Sequence, residues 1–345
     1  MKTAITFSSN HEVHAQPGHF ERPERLQAIQ TLLNQDGILE SLMVLESHAA
    51  TKEDVLLVHP ESYYDKLVTA SEAGTVWLDS DTYSTPGSLG VAMEALGGLI
   101  QVTEAVVEKK VSNGFAIVRP PGHHARPAEA MGFCLLANIA IAARWIQKHT
   151  NMRRILIVDF DVHHGNGTQE IFYEDPDVLY ISTHQSPLYP GTGSLLETGE
   201  NEGNRATINI PLPANTGDDT LIYVFKEILK PRVAQFNPEF ILVSAGYDAH
   251  WLDPIGGMNI TVSGFSTILK EILDWAALYA SDRLVALLEG GYHAEALAHS
   301  VLTSLRILNN TQAPPSDPFG PNPAQGSIHD QLKNYLVEIA SIHAL

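Results

Sequence analysis

The chain has 345 residues, with 21 Lys or Arg and 40 Asp or Glu, which gives a formal net charge of −19. Such acidity repels phosphate backbones and argues against a nucleic-acid partner. Its one cysteine, Cys134, excludes an intramolecular disulfide and multi-thiolate metal sites, so any metal must be bound by histidine and carboxylate. No apolar stretch approaches the roughly 18 residues that span a bilayer, and residues 1–10 lack signal-peptide features. We therefore expect a cytoplasmic protein with no membrane partner.

Short apolar runs alternate along the chain with segments of helical periodicity. The runs are rich in β-branched residues and predict strands buried on both faces, at residues 4–7, 115–118, 155–159, 178–183, 240–244 and 284–289. The periodic segments predict helices at residues 23–33, 89–107, 133–145, 221–233 and 265–278. This alternation predicts a single α/β domain, a three-layer αβα arrangement around a mainly parallel central sheet.

The composition changes near the C-terminus. Residues 309–327 contain five prolines and no apolar periodicity, which predicts a linker that follows a main domain at residues 1–308. Residues 328–345 carry one apolar stripe at helical spacing and predict an amphipathic helix. The sequence leaves open whether this helix packs on the body or on a partner, and whether the protein is a homo-oligomer.

Five polar motifs follow the predicted strands, where ligands bind in open parallel sheets. They are Arg119-Pro-Pro-Gly-His123-His124, Gly132-Phe-Cys, Asp159-Phe-Asp161-Val-His163-His164-Gly-Asn166-Gly, Ala245-Gly-Tyr-Asp248-Ala-His250 and Glu289-Gly-Gly-Tyr292. Asp161 and His163 are one residue apart just past a strand, so both side chains can turn toward one point. Asp248 would add a third ligand from another strand end. Such a mixed N and O set with an open position suits a catalytic zinc ion.

Hydrolysis of an unstrained amide would use all of these groups. It needs an activated water, a polarised carbonyl and a proton for the leaving amine. Zinc lowers the pKa of bound water toward about 7 and polarises the carbonyl. Tyr292 can donate a hydrogen bond to the carbonyl from the other side, and His123 and His124 can carry protons near neutral pH.

The ordered motifs resemble those of the histone deacetylase and acetylpolyamine amidohydrolase family, with its arginase-type fold, from Glu21-Arg-Pro-Glu-Arg25 to Tyr292. The resemblance implies zinc bound by Asp161, His163 and Asp248, and Tyr292 as the group that polarises the carbonyl. It implies His124 as general base and acid, and an electrostatic His123 hydrogen-bonded to Asp159. Asn166, as in the class II branch, stands beside the second histidine where other branches have Asp.

The same resemblance implies a substrate tunnel. Phe133 and Tyr189 would face each other around an unbranched chain such as a lysine side chain, with Gly132 leaving room for the acyl methyl. The further substrate contacts that it implies are Arg25 at the foot of the pocket, Asp81 at the rim and Ile255 in the loop after Asp248. Structural potassium is implied beside Asp159, Asp161, His163 and Ser182, with a second ion near Phe172.

Other functions remain open from the sequence. A binuclear manganese hydrolase on the same fold would need further acids where this chain has Gly165-Asn166 and Gly246, so one metal ion is the better interpretation. A catalytically dead binder of acyl-lysine would normally lack Tyr292 or a pocket histidine, and all are present. Acetylated lysine in a peptide, acetylpolyamine and other small acetylated amines all place an amide at the end of a thin chain. Ile255 cannot pair with a buried ammonium, which favours acyl-lysine over acetylpolyamine.

Overall fold

The structure is a computed structural model that describes residues 2–311, 317–320 and 330–343. Its strands are β1 (Thr3–Phe7), β2 (Met43–Glu46), β3 (Val76–Trp77), β4 (Tyr83–Ser84), β5 (Asn113–Ile117), β6 (Ile155–Asp159), β7 (Val178–Gln185), β8 (Thr207–Leu212), β9 (Phe240–Ala245) and β10 (Leu284–Leu288). Eight of them form one sheet in the order β2-β1-β5-β10-β9-β6-β7-β8. Every neighbouring pair in it is parallel. The predicted single α/β domain around a parallel sheet is confirmed.

The helices lie between the strands in chain order. They are α1 (Glu24–Asp36), α2 (Lys52–Val55), α3 (Glu61–Glu72), α4 (Ser88–Val107), α5 (Asn138–His149), α6 (Asn166–Phe172), α7 (Asp218–Tyr223), α8 (Lys230–Phe236), α9 (Val262–Tyr279), α10 (Ala294–Leu308) and α11 (Asp330–His343). A π-helical turn over Val224–Leu229 joins α7 to α8. One predicted helix is wrong at its start: residues 133–137 form a loop, and α5 begins only at Asn138.

Successive residues of each strand face opposite layers. In β6, Leu156 and Val158 pack into the core beneath α1, α9 and α10, whereas Ile155 and Ile157 pack into the core beneath α4 and α5. This is the two-residue period of a strand buried on both faces. All six predicted strands are present for this reason.

Helix α4 is the one helix of the described residues that has the length and apolar composition to span a bilayer. Its most apolar 18-residue window is 72% buried inside the fold. The helix packs on β1, β5 and β10 of the sheet. Burial in the protein core therefore accounts for its apolar character.

The C-terminal helix α11 lies against the edge strand β8. Leu336 and Ile339 are fully buried in the core. The Tyr335 hydroxyl donates to the Pro211 carbonyl at 2.7 Å, and His343 Nε2 lies 3.2 Å from the Asn209 carbonyl. These contacts cover carbonyls of a strand that has no further neighbour in the sheet. Most of the linker predicted at residues 309–327 lies outside the described residues, apart from 309–311 and 317–320.

Candidate active site

Three buried side chains meet where β6 and β9 end. Asp161 and His163 follow β6, and Asp248 follows β9, the next strand in the sheet. His163 Nδ1 lies 3.0 Å from Asp161 Oδ1 and 3.2 Å from Asp248 Oδ2. One ligand atom from each of the three lies within 4.8 Å of the others. These residues could therefore hold a metal ion.

The charges of this group fit a cation. Asp248 Oδ2 accepts no hydrogen bond within the part of the chain that the structure describes. Burial beside Asp161 raises the pKa of Asp248 to about 7. Burial opposes the charged form of His163, but the neighbouring carboxylates of Asp161 and Asp248 outweigh this effect and raise its pKa to about 10. Two buried carboxylates thus demand a positive charge between them, which a divalent ion would supply.

Two glycines leave room around these carboxylates. A Cβ at Gly246 would lie 2.0 Å from Asp161 Oδ2, and a Cβ at Gly290 would lie 2.0 Å from Asp248 Oδ2. Asp161 Oδ2 instead accepts the Gly290 amide at 2.9 Å. No side chain fits at position 246, so the extra acid that a second metal ion would need has no space there.

Two adjacent histidines lie in the loop after β5 and make different hydrogen bonds. His123 Nδ1 lies 3.0 Å from Asp159 Oδ2, and the Tyr180 hydroxyl also donates to that oxygen at 3.0 Å. His124 Nδ1 lies 2.8 Å from Asn166 Oδ1. Since an amide oxygen only accepts, His124 carries its proton on Nδ1 and keeps a free lone pair on Nε2.

The pKa values of the two imidazoles shift in opposite directions. Burial would lower the pKa of His123, but the Asp159 and Asp161 carboxylates outweigh it and raise the pKa to about 10. Burial, together with the positive charges of His123 and His163, lowers the pKa of His124 well below its ordinary value. These opposite shifts favour a charged His123 and a neutral His124 near neutral pH.

Tyr292 is held by three neighbouring side chains. The Arg25 guanidinium lies 4.8 Å from the centre of its ring, and the rings of Phe133 and Phe20 approach it edge-on at 5.8 and 6.4 Å. Burial raises the pKa of Tyr292 well above its ordinary value, so it remains a hydrogen-bond donor. Arg25 is not among the residues that line the cavity, because it is buried behind this ring with Nε donating to the Gly291 carbonyl at 2.7 Å.

A cavity of 490 Å³ opens in front of these groups. Nine residues that the sequence indicated for the site line it: Asp81, His123, His124, Gly132, Phe133, His163, Tyr189, Ile255 and Tyr292. Tyr189 lies beside His124 and His163, with ring centres 5.1 and 6.2 Å apart. Phe133 lies beside Tyr292. Phe133 and Tyr189 therefore line different sides of the cavity.

Gly132 and Phe133 both have positive φ angles, which cost a glycine nothing but are unfavourable for Phe133. Gly132 has φ of 56° and Phe133 has φ of 69°, a region that non-glycine residues rarely adopt and that is common near functional sites. A Cβ at Gly132 would lie 2.3 Å from His124 Cδ2. A side chain at position 132 would therefore collide with the His124 imidazole, and room for an acyl methyl beside Gly132 stays a prediction.

The residues expected near potassium fall in two places. Ser182 in β7 pairs in register with Asp159, the last residue of β6, so it lies level with the strand end that Asp161 and His163 follow. The Ser182 hydroxyl lies 2.9 Å from His184 Nδ1. Phe172 ends α6, where its ring packs under Arg144 and its carbonyl accepts the Asp175 amide at 3.0 Å.

Two buried carboxylates that sequence reasoning left without a role support the site. Glu289 Oε2 accepts the Gly122 amide at 2.7 Å and the His123 amide at 3.2 Å, which fixes the histidine loop. Asp253 Oδ2 accepts the Tyr292 amide at 2.7 Å. The role of Glu289 had a signal in the sequence, because this acid lies at the end of the predicted strand that becomes β10. Nothing in the motif around Asp253 shows which distant amides it binds.

A third carboxylate, Glu21, is buried with two arginines. It pairs with Arg119 through both oxygens and lies 3.3 Å from Arg25. Burial alone would raise the pKa of Glu21, but the charge of Arg119 outweighs it and lowers the pKa to about 2. This cluster supports Arg25 behind Tyr292.

The parallel sheet, with an Asp-His-Asp group and paired histidines at its carboxyl edge, is the arrangement of a metal-dependent hydrolase. Residues 19–308 match the family described as "Histone deacetylase domain". The chain therefore belongs to the histone deacetylase family, whose members act as hydrolases on amides.

Relatives agree with this assignment over most of the chain. A protein of Archaeoglobus fulgidus named "Probable deacetylase" is 46% identical, with 86% of this chain and 82% of the relative covered. The "Histone deacetylase-like amidohydrolase" of Pseudomonas aeruginosa is 35% identical, with 88% and 80% covered. The solved structure titled "Crystal Structure of HDA15 HD domain" superposes with a TM-score of 0.87 at 32% identity, covering 99% of this chain and 94% of that one.

Proposed function

We propose that this protein is a zinc-dependent deacetylase that removes an acetyl or other acyl group from an amine such as the lysine side chain. The observation that carries the proposal is that the group of Asp161, His163 and Asp248 reaches, through His163, the cavity that His124 and Tyr292 also line. These are the groups that amide hydrolysis needs. A catalytically inactive binder of acyl-lysine would not need all of these groups.

Asp161, His163 and Asp248 would hold the zinc ion. When bound, zinc lowers the pKa of a water molecule toward about 7 and polarises the acyl carbonyl. The Gly290 amide on Asp161 and the Val162 amide on Asp248 Oδ1, each at 2.9 Å, orient the two carboxylates. Such outer hydrogen bonds fix ligand geometry.

His124 moves the proton in this reaction. Its free Nε2 takes a proton from water as the water oxygen bonds to the acyl carbon. The same nitrogen then gives that proton to the amine nitrogen as the C–N bond breaks, so the products are a carboxylic acid and a free amine. Asn166 keeps the required tautomer throughout, because its Oδ1 accepts from His124 Nδ1.

Tyr292 and His123 stabilise the charge that develops. The Tyr292 hydroxyl donates to the carbonyl oxygen as that oxygen becomes negative, and it is already positioned by its neighbours. His123 stays protonated beside Asp159 and adds a fixed positive charge. Neither group needs to transfer a proton for the reaction to balance.

The cavity selects a thin chain. Its wall includes Phe133, Tyr189, Leu188 and Ile255, which favour a methylene stem over a charged one. We expect an acetylated lysine in a peptide to place its amide beside His124 while its backbone stays near the rim. Acyl-lysine is therefore the substrate class we favour.

Acetylpolyamine is the second candidate, on the strength of Asp81. Among residues 2–311, 317–320 and 330–343, Asp81 is the one carboxylate in the cavity wall. Burial, together with the negative charge of Asp79, raises its pKa. An ammonium group of a cationic substrate would stabilise the ionised form of Asp81 by pairing with it at the rim.

Potassium is proposed as a structural ion beside Asp159, Asp161, His163 and Ser182, and a second near Phe172. Support for the first comes from the register that brings Asp159 and Ser182 together. Raising KCl should increase the melting temperature more than the same concentration of NaCl does. Equal effects of the two salts would contradict a potassium site.

The proposed function is tested by turnover of an acetyl-lysine peptide before and after removal of metal with a chelator. Zinc added back to the stripped protein should restore activity. The variant Asp248→Asn should lose metal and turnover together. Asp218→Asn is the control, because Asp218 is also buried, at 8% exposure against 0% for Asp248, but its carboxylate accepts hydrogen bonds from Thr261, away from the cavity. Turnover that survives chelation would contradict the proposal.

A further inference from the structure

One carboxylate joins the loop after β9 to the loop that carries Tyr292. Asp253 Oδ2 accepts the backbone amides of Tyr292 at 2.7 Å and His293 at 3.2 Å. Its other oxygen, Oδ1, accepts the amide of Ile255 at 3.1 Å. Asp253 is 8% exposed, so water competes little for these bonds.

Other hydrogen bonds hold the loop just before Tyr292, since the Gly290 amide donates to Asp161 Oδ2 at 2.9 Å and the Gly291 carbonyl accepts from Arg25 Nε at 2.7 Å. Tyr292 follows Gly290 and Gly291, and Gly291 has φ of 118°, a conformation open to glycine. Two adjacent glycines give the backbone freedom just before the residue whose hydroxyl must be placed. Asp253 holds the next two amides, those of Tyr292 and His293, and so fixes the backbone at Tyr292 itself.

The neighbours of the Tyr292 ring do not replace this restraint. Arg25, Phe133 and Phe20 contact the ring and fix its tilt. They do not fix how far the ring reaches along the cavity, which depends on where the backbone lies. A shift of the backbone moves the hydroxyl directly, and a misplacement of about 1 Å can cost about 100-fold in rate.

We propose that Asp253 is a positioning residue that sets the Tyr292 hydroxyl through the backbone and, through Ile255, ties this setting to the cavity wall. The inference rests on the proposed function, because the hydroxyl matters through its hydrogen bond to the acyl oxygen. Asp253 itself touches no reacting atom. Its effect on rate therefore passes through Tyr292.

A double-mutant cycle tests this route. Asp253→Asn should lower kcat for an acetyl-lysine peptide by about 10-fold or more, with KM changed much less. In the Tyr292→Phe background, where the hydroxyl is already gone, the same substitution should change kcat by less than about 2-fold. An equal loss in both backgrounds would overturn the proposal, because a general structural defect does not depend on the hydroxyl.

Three measurements separate this claim from others. Zinc content and melting temperature of Asp253→Asn should stay near those of Asp218→Asn, a control of equal burial whose carboxylate binds Thr261 instead. Amide hydrogen exchange in the peptide spanning residues 289–294 should quicken in Asp253→Asn and not in the control. Unchanged exchange in Asp253→Asn would overturn the positioning role of Asp253, and this readout does not require deacetylase activity. The proposed function would instead be contradicted if the unmodified protein showed no metal-dependent turnover.

Discussion

Removing the Tyr292 hydroxyl is the most selective perturbation of the proposed chemistry. Tyr292→Phe deletes one oxygen and keeps the ring, so the contacts with Arg25 at 4.8 Å and Phe133 at 5.8 Å remain. Asp253 binds the backbone amide of residue 292, which the substitution does not alter. We therefore expect fold, metal content and KM to stay close to those of the unmodified protein.

The expected loss is confined to kcat. Removal of one preorganised donor to a developing oxyanion typically costs about 10² to 10³ in kcat, or about 2.7–4 kcal/mol. Steady-state turnover of an acetyl-lysine peptide at several substrate concentrations separates kcat from KM. A rise in KM with kcat unchanged would refute the role, because the hydroxyl would then bind substrate and transition state equally.

Three further predictions follow from the same contacts. His124→Ala should lower kcat at least as much as Tyr292→Phe while zinc content stays near one per chain, since the proton carrier is lost and the ligands are not. Ile255→Glu should shift the ratio of kcat/KM values toward N8-acetylspermidine and away from an acetyl-lysine peptide, and an unchanged ratio would show that position 255 does not select the substrate. Glu21→Gln should lower the free energy of unfolding near pH 7 by about 3–5 kcal/mol, because Arg119 is left buried without its partner.

The pH dependence of stability gives Glu21 a second test. Its pKa is lowered to about 2 in the folded state, so its contribution is complete above the ordinary glutamate pKa and is lost as pH falls through about 2. Urea unfolding across this range should show a smaller acid-induced loss in Glu21→Gln than in the unmodified protein. Parallel curves would contradict the assigned ion cluster.

The central strands and the site were predictable because both leave local signals. The run at residues 155–159 is apolar throughout and becomes a strand buried on both faces, and the acids after it fall at the carboxyl edge. The two edge strands, Met43–Glu46 and Thr207–Leu212, were missed. β2 is only four residues long and partly exposed, and β8 contains Pro211, so neither shows the continuous apolar run of a central strand.

Other features depend on contacts far apart in the chain. Residues 133–137 have helix-like apolar spacing, but Phe133 has a positive φ and its backbone amide donates a hydrogen bond to Thr82 Oγ1 at 3.0 Å, which holds them as a loop. The roles of Glu289 and Asp253 rest on backbone amides more than 35 residues away. Spacing along the sequence carries no information about such pairs.

A zinc titration of metal-free protein tests the central claim most directly. Bound zinc, measured by elemental analysis, and turnover of an acetyl-lysine peptide should rise together and level off at one ion per chain. Asp248→Asn should show neither rise, because it removes the negative charge of a buried carboxylate whose Oδ2 has no hydrogen-bond partner in the described residues. Two manganese ions per chain at full activity, or full turnover before any metal is added, would contradict the account.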